Sequence, residues 1–285
     1  MAVVRDTRWP VYSATLAIAA IGWAVLTSMA GSVAAISGAD ALGPGAALLA
    51  PLYDLFADRL GNTQLASLLA TLCGPAVPGE LTITFAATAF AMWILMSVAM
   101  MLPSAAPMLK TYADIAHVAR ERGETTVPLW VLTAGYLVCW LVFAALATLA
   151  HLALIESGHM LAGNGLVQGW LAGGILLTAG LYQFSPLKDA CLEKCRNPFN
   201  TLFARWSQHP GEVFRLRIGQ GLFCVGCCWA LMLTMLVVGV MNLVWMVFFT
   251  LFAVLEKTGS GHSTSRISGF ILALWGSALI AFDLL

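Results

Sequence analysis

The fold class this sequence predicts is all-α: a polytopic transmembrane helix bundle of about seven spans, with a short cytoplasmic helix carrying two cysteines four residues apart. Three observations predict it. Of 285 residues, 60% are hydrophobic and only 10% charged, with a mean hydropathy of +0.86. Soluble domains carry about 25% charged residues, so these charges are too few to cover a water-facing surface. Seven apolar stretches also approach the roughly 20 residues a spanning helix needs. Finally, Lys and Arg recur in alternate loops, as the positive-inside bias requires.

The first span is expected at 11–31. Arg5 and Arg8 precede it, but the apolar run is too long for a signal-peptide core and no clear cleavage site follows, so the helix is read as retained. An outer loop, 32–83, is rich in Gly, Ala and Pro. Within it Leu48 to Leu60, "LLAPLYDLFADRL", has the pattern of an amphipathic segment lying at the interface. Further spans are expected at 84–108, 129–154, 166–186, 218–238, 240–256 and 267–284. The fifth and sixth form one apolar run, too long for one crossing at about 1.5 Å per residue. Gly239 and Asn242 offer a tight reversal there. The whole chain, 1–285, reads as a single integral membrane domain.

Orientation follows from the loops. Lys110, Arg120 and Arg122 follow the second span. Lys188, Lys194, Arg196, Arg205, Arg215 and Arg217 lie in the 187–217 loop or at its end, and Lys257 and Arg266 follow the sixth span. On the other side, 32–83 contributes Arg59 and 155–165 contributes none. The N-terminus is therefore expected in the cytoplasm and the C-terminus outside, in a bacterial inner membrane. The formal net charge of +0 gives no reason to expect nucleic acid as a partner. The partners expected are the lipid bilayer, a metal ion and another membrane or soluble metalloprotein.

Sulfur carries the chemistry. "GLFCVGCCWALMLTM" places Cys224, Cys227 and Cys228 at the inner end of the fifth span, where a reducing cytoplasm disfavours disulfides. Cys224 and Cys228 share a helical face, and Met232 and Met235 continue a line of soft ligands into the bilayer. Packing alone would account for the methionines; three thiols in five residues ask for more. In "SPLKDACLEKCRNP", Ser185 caps a helix, Pro186 opens it and Asn197-Pro198 stops it. Cys191 and Cys195 then lie on one face, beside Lys188, Lys194 and Arg196, which would favour thiolate. In "MWILMSVAMMLPSAAPM", Met92, Met96 and Met100 recur every four residues, with Met101 and Met108 further on. Pro103 and Pro107 deprive the carbonyls of Ala99 and Pro103 of helix donors, which is tolerated where such groups line a cavity.

Other candidates are weaker. His151 and Glu156 at the outer end of the third span read as a surface pair rather than a metal site. His117, His209 and His262 read as solvated. Asn242 reads as helix packing, and Glu256 and Lys257 as interface anchors. Cys73 and Cys139 are isolated. No P-loop, GxSxG, HExxH or dinucleotide fingerprint occurs, and no residue is assigned a catalytic role.

The three sulfur-rich blocks together resemble a bacterial family of predicted metal-binding integral membrane proteins, over roughly 88–110 and 178–258. The resemblance implies family positions at Pro103, Pro107, Pro186, Cys191, Cys195, Cys224, Cys227, Cys228, Met232, Met241, Asn242, Glu256 and Lys257. The expected metal ligands are Cys191, Cys195, Cys224, Cys227, Cys228, Met100, Met101, Met108, Met232 and Met235. Thiolates and thioethers select soft ions, Cu(I) first. Four of the thiolates could instead close a tetrahedral zinc site. The expected function is copper handling, as a transporter or a metallation and assembly factor. The alternatives are a membrane oxidoreductase and a non-catalytic subunit with structural zinc.

Overall fold

A computed structural model describes residues 8–60, 81–160, 166–167, 169–197, 209–259 and 263–283. Among these the chain is helical throughout, apart from one isolated bridge between Met160 and Val167. The helices are α1 (Arg8–Ser37), α2 (Ala50–Leu60), α3 (Ile83–Glu121), α4 (Leu129–Glu156), α5 (Gly169–Tyr182), α6 (Pro186–Arg196), α7 (Pro210–Leu233), α8 (Met235–Val238), α9 (Leu243–Thr258) and α10 (Ser263–Asp283). Five stretches are long and apolar enough to cross a membrane: Tyr12–Ala35, Ile83–Glu121, Leu129–Glu156, Gly211–Val238 and Ser263–Asp283. α5 and α9, at 14 and 16 residues, are shorter. Large apolar side chains face outward on these helices, among them Leu146, Leu149, Leu251, Phe270 and Leu274. Water would tolerate such a belt poorly, whereas acyl chains are its natural solvent.

α3 departs from the expectation that its span ends at 108. Its 39 residues run unbroken through Pro103 and Pro107 to Glu121. Each proline removes one helix hydrogen bond. At the first of these gaps the Trp23 indole of α1 donates to the orphaned Ala99 carbonyl at 3.2 Å. The extension past the bilayer is polar, with Lys110 and Asp114 paired at 3.9 Å.

The reversal between α8 and α9 lies where glycine and asparagine suggest it. Gly239 has φ 105, and a Cβ there would strike the Leu42 carbonyl. The Asn242 side chain caps α9 by accepting from the Val244 amide, and donates to the Pro44 carbonyl at 3.0 Å. A short stretch of the 32–83 loop therefore clasps this turn. Residues 61–80 of that loop, with Cys73, lie outside the described residues, as do Arg205 and His262.

Two cations counted among the loop charges are internal. Arg217 lies in the second turn of α7 and is fully buried, donating from Nε to the Leu132 carbonyl at 3.0 Å. Lys188 is fully buried too, paired with Glu256 at 2.7 Å. Neither solvates a loop, so positive-inside orientation rests on the remaining Lys and Arg.

A candidate soft-metal site

α6 forms as its ends dictate. The Ser185 hydroxyl accepts from the Lys188 amide at 3.1 Å, Pro186 occupies the first turn, and Asn197 ends the helix. This short helix lies against α7, with Cys191 seated on the bare face of Gly226, where a Cβ would come within 2.7 Å of its sulfur. One turn on, Cys195 reaches a cavity of about 270 Å³. Its walls come from five helices: Pro103, Ser104, Pro107 and Met108 of α3, Tyr136 of α4, Cys195 and Arg196 of α6, Gln220 and Cys224 of α7, and Lys257 of α9.

Cys224 is the hub. Its sulfur accepts from Lys257 Nζ at 3.0 Å, and that ammonium also donates to Ser104 Oγ at 2.7 Å. The Tyr136 hydroxyl lies 3.1 Å from the same sulfur and 3.3 Å from the Met101 carbonyl. The Cys195 thiol is within hydrogen-bonding reach of both Cys224 and Cys227. Cys227 Sγ is 3.3 Å from Cys228 Sγ and donates to the Cys224 carbonyl at 3.1 Å. Four of the five expected thiols thus form one contact chain. Among the described residues, however, no group of three or more His, Cys, Asp or Glu side chains has the placement to hold a metal ion.

The expected thiolate character on α6 is not found. Cys191 is raised above the ordinary thiol range by burial, and Cys195 well above it, first by its hydrogen bond with Cys224. The cations beside them are engaged elsewhere. Lys188 donates to Glu256 and to Gln183, and Arg196 donates from Nε to the Glu256 carbonyl at 2.8 Å. The cation that serves the cluster is Lys257, which the sequence reading took for an interface anchor. Its neighbour Glu256 is no anchor either. It is 1% exposed, also accepts from Ser265 Oγ at 2.6 Å, and so ties α6 and α10 to α9.

The expected methionines divide. Met108 lines the cavity, and its sulfur accepts from Arg217 at 2.8 Å. Met100 and Met101 are buried in α3 beside it. Met232 and Met235 are fully buried two to three turns beyond Cys224. Sequence reasoning missed Tyr136, Arg217 and Gln220 as site residues, whereas Ser104 lies in the proline block it singled out. Gln220 is 1% exposed, and neither atom of its amide finds a partner among the described residues. A buried amide left so costs about 1–3 kcal/mol, which a ligand in the cavity would relieve. Soft sulfur donors, one ammonium to balance charge and an unsatisfied amide suit a soft monovalent metal ion.

These features define a helical protein with clustered thiols beside an internal cavity. Residues 90–279, two thirds of the chain, match the PpoB2 copper chaperone family, and the chain belongs to it. No curated protein and no solved structure gives a significant match.

Proposed function

We propose that this protein is a single integral membrane domain of a bacterial inner membrane that takes up Cu(I) on its cytoplasmic side and hands it to another metalloprotein. The chain crosses the bilayer seven times with its N-terminus inside, α5 and α9 being short crossings. Cu(I) is cargo here, held first between Cys195 and Cys224. Cys191, Cys227 and Cys228 offer exchange ligands, and Met100, Met101, Met108, Met232 and Met235 continue the sulfur line inward.

The observation that carries this reading is the Lys257 ammonium at 3.0 Å from the Cys224 sulfur, across a cavity from Cys195. Cu(I) bound by two thiolates carries one negative charge, which the Lys257 ammonium beside Cys224 balances. A tetrahedral zinc cage needs four ligands around one point, and among the described residues no group of three or more is placed to hold an ion. Low-coordinate Cu(I) exchanges ligands readily, which delivery requires.

The test is metal content per mole of protein purified gently in detergent from cells supplied with copper and zinc. A Cys224→Ser/Cys227→Ser/Cys228→Ser variant is purified alongside. About one or two coppers in wild type, with the thiolate-bound copper lost in the variant, is the expected result for soft sulfur ligands. One tightly held zinc would make the cluster a structural clamp, and absence of metal from both would overturn the reading.

A further inference from the structure

Away from the cysteines, the bundle buries a histidine that the sequence places on the surface. His151, in the last two turns of α4, is 5% exposed, and its Nδ1 has no partner among the described residues. A core imidazole ordinarily hydrogen-bonds both ring nitrogens, because leaving one dry costs about 1–3 kcal/mol. Thr148, one turn earlier, donates its hydroxyl to the Ala144 carbonyl at 2.7 Å. The ring instead meets Trp93 of α3 edge-on, centroids 6.5 Å apart. Trp93 is fully buried and its indole nitrogen is also unpartnered, as is that of Trp140. Two unsatisfied buried nitrogens on rings in contact, Trp93 and His151, are not ordinary packing.

The surroundings are soft as well as dry. Met96, three residues after Trp93 and so on the same side of α3, is fully buried, and Met92 and Met100 extend the stripe one turn either way. A ladder of rings joins this end to the cysteine site. From Tyr136, beside Cys224, it passes to Trp140 at 6.4 Å, Phe143 at 5.4 Å, Trp93 at 6.2 Å and His151 at 6.5 Å. Fifteen residues of α4 separate Tyr136 from His151, roughly 22 Å at 1.5 Å per residue. Ring faces attract cations and thioethers bind Cu(I), so the space between offers soft contacts and, on these two helices, no fixed charge.

We infer a second soft-metal site at His151, with Nδ1 as one ligand and the Met96 thioether as the other. It is the terminus of the sulfur and aromatic corridor opposite Cys224, from which Cu(I) leaves the bundle. The inference rests on the copper reading of the cysteine end, but it has its own readout. Neutral imidazole and thioether hold Cu(I) without any compensating cation, in contrast to the thiolate end with Lys257.

The experiment is anaerobic Cu(I) titration of the full chain in detergent, followed by copper X-ray absorption. The proteins are wild type, the triple cysteine variant, and that variant carrying His151→Phe or Met96→Leu. The triple variant is expected to keep about one Cu(I) in a shell of imidazole and sulfur. His151→Phe abolishes it, and Met96→Leu, which preserves volume should the histidine variant fail to fold, removes the sulfur from that shell. A triple variant that binds nothing, while wild type binds copper on thiolates alone, overturns the second site and leaves the cysteine reading intact. Residual copper unchanged by both substitutions also overturns it, and wild type without copper overturns both readings.

Discussion

Two interfaces in the bundle are equally tight and opposite in chemistry. Between α5 and α10 the contact is built of glycine. A Cβ on Gly173 would come within 2.7 Å of the Gly276 carbonyl, and one on Gly180 within 2.5 Å of the Ala273 amide. At its end the Asp283 carboxylate of α10 accepts from the Trp170 amide of α5 at 2.8 Å. Between α6, α7 and α9 the contact holds five thiols, two lysines, a glutamate and an unpartnered glutamine. Close packing alone needs only the first kind of surface. Assembling the second kind costs desolvation at each group, a cost that the proposed ligand would offset.

If that contrast is right, substitutions should separate stability from binding. The largest effect is expected at Glu256, whose carboxylate accepts from Lys188 and Ser265. Glu256→Ala strands a buried ammonium and should cost about 3–5 kcal/mol of stability, read as an earlier loss of monodisperse protein in a thermal scan. Gly173→Leu forces α5 from α10 and should cost about 1–3 kcal/mol. The folded fraction should bind Cu(I) with unchanged affinity, because the glycine interface touches no ligand.

Smaller effects belong to the thiol corner. Lys257→Met removes the cation beside Cys224 and should weaken Cu(I) about 10–100-fold, the usual consequence of losing a ligand's supporting partner. Lys257→Arg should recover most of this, because the charge is retained. Affinity should also rise with pH. The Cys195 thiol is held above its ordinary range, so it is protonated near neutrality and must release its proton to bind metal. One proton displaced per ion gives about a tenfold gain per pH unit between roughly 6 and 8. A flat profile in competition titrations would mean that Cys195 is not a ligand.

Much of this architecture is legible in the sequence, for physical reasons. Hydropathy marks the helices because every backbone group in lipid must be satisfied internally. Gly239 and Asn242 mark the reversal, and Ser185 and Pro198 bracket α6, since caps and breakers act locally. The site is legible only in part. Clustered cysteines announce themselves, so Cys195, Cys224, Cys227 and Cys228 are found together as expected. Lys188, Arg217 and His151 are misread because a charge near a helix end looks the same in sequence whether it meets water or a buried partner. Tyr136 and Gln220 carry no signal at all, one aromatic and one amide at the ends of apolar runs. Pro103 and Pro107 orphan carbonyls within α3 without ending it, and Trp23 takes up one of them.

The central claim is that Cys224, balanced by Lys257, is the soft-metal ligand of this chain. A competition titration with a Cu(I)-specific chelator, comparing wild type with Cys224→Ser and repeating both with Zn(II), tests it most directly. The account predicts tight Cu(I) binding that the serine variant weakens by at least about a hundredfold, some 2.7 kcal/mol, with Zn(II) weak in both. Equal Cu(I) affinity in the two proteins, or Zn(II) bound more tightly than Cu(I) in wild type, would contradict it.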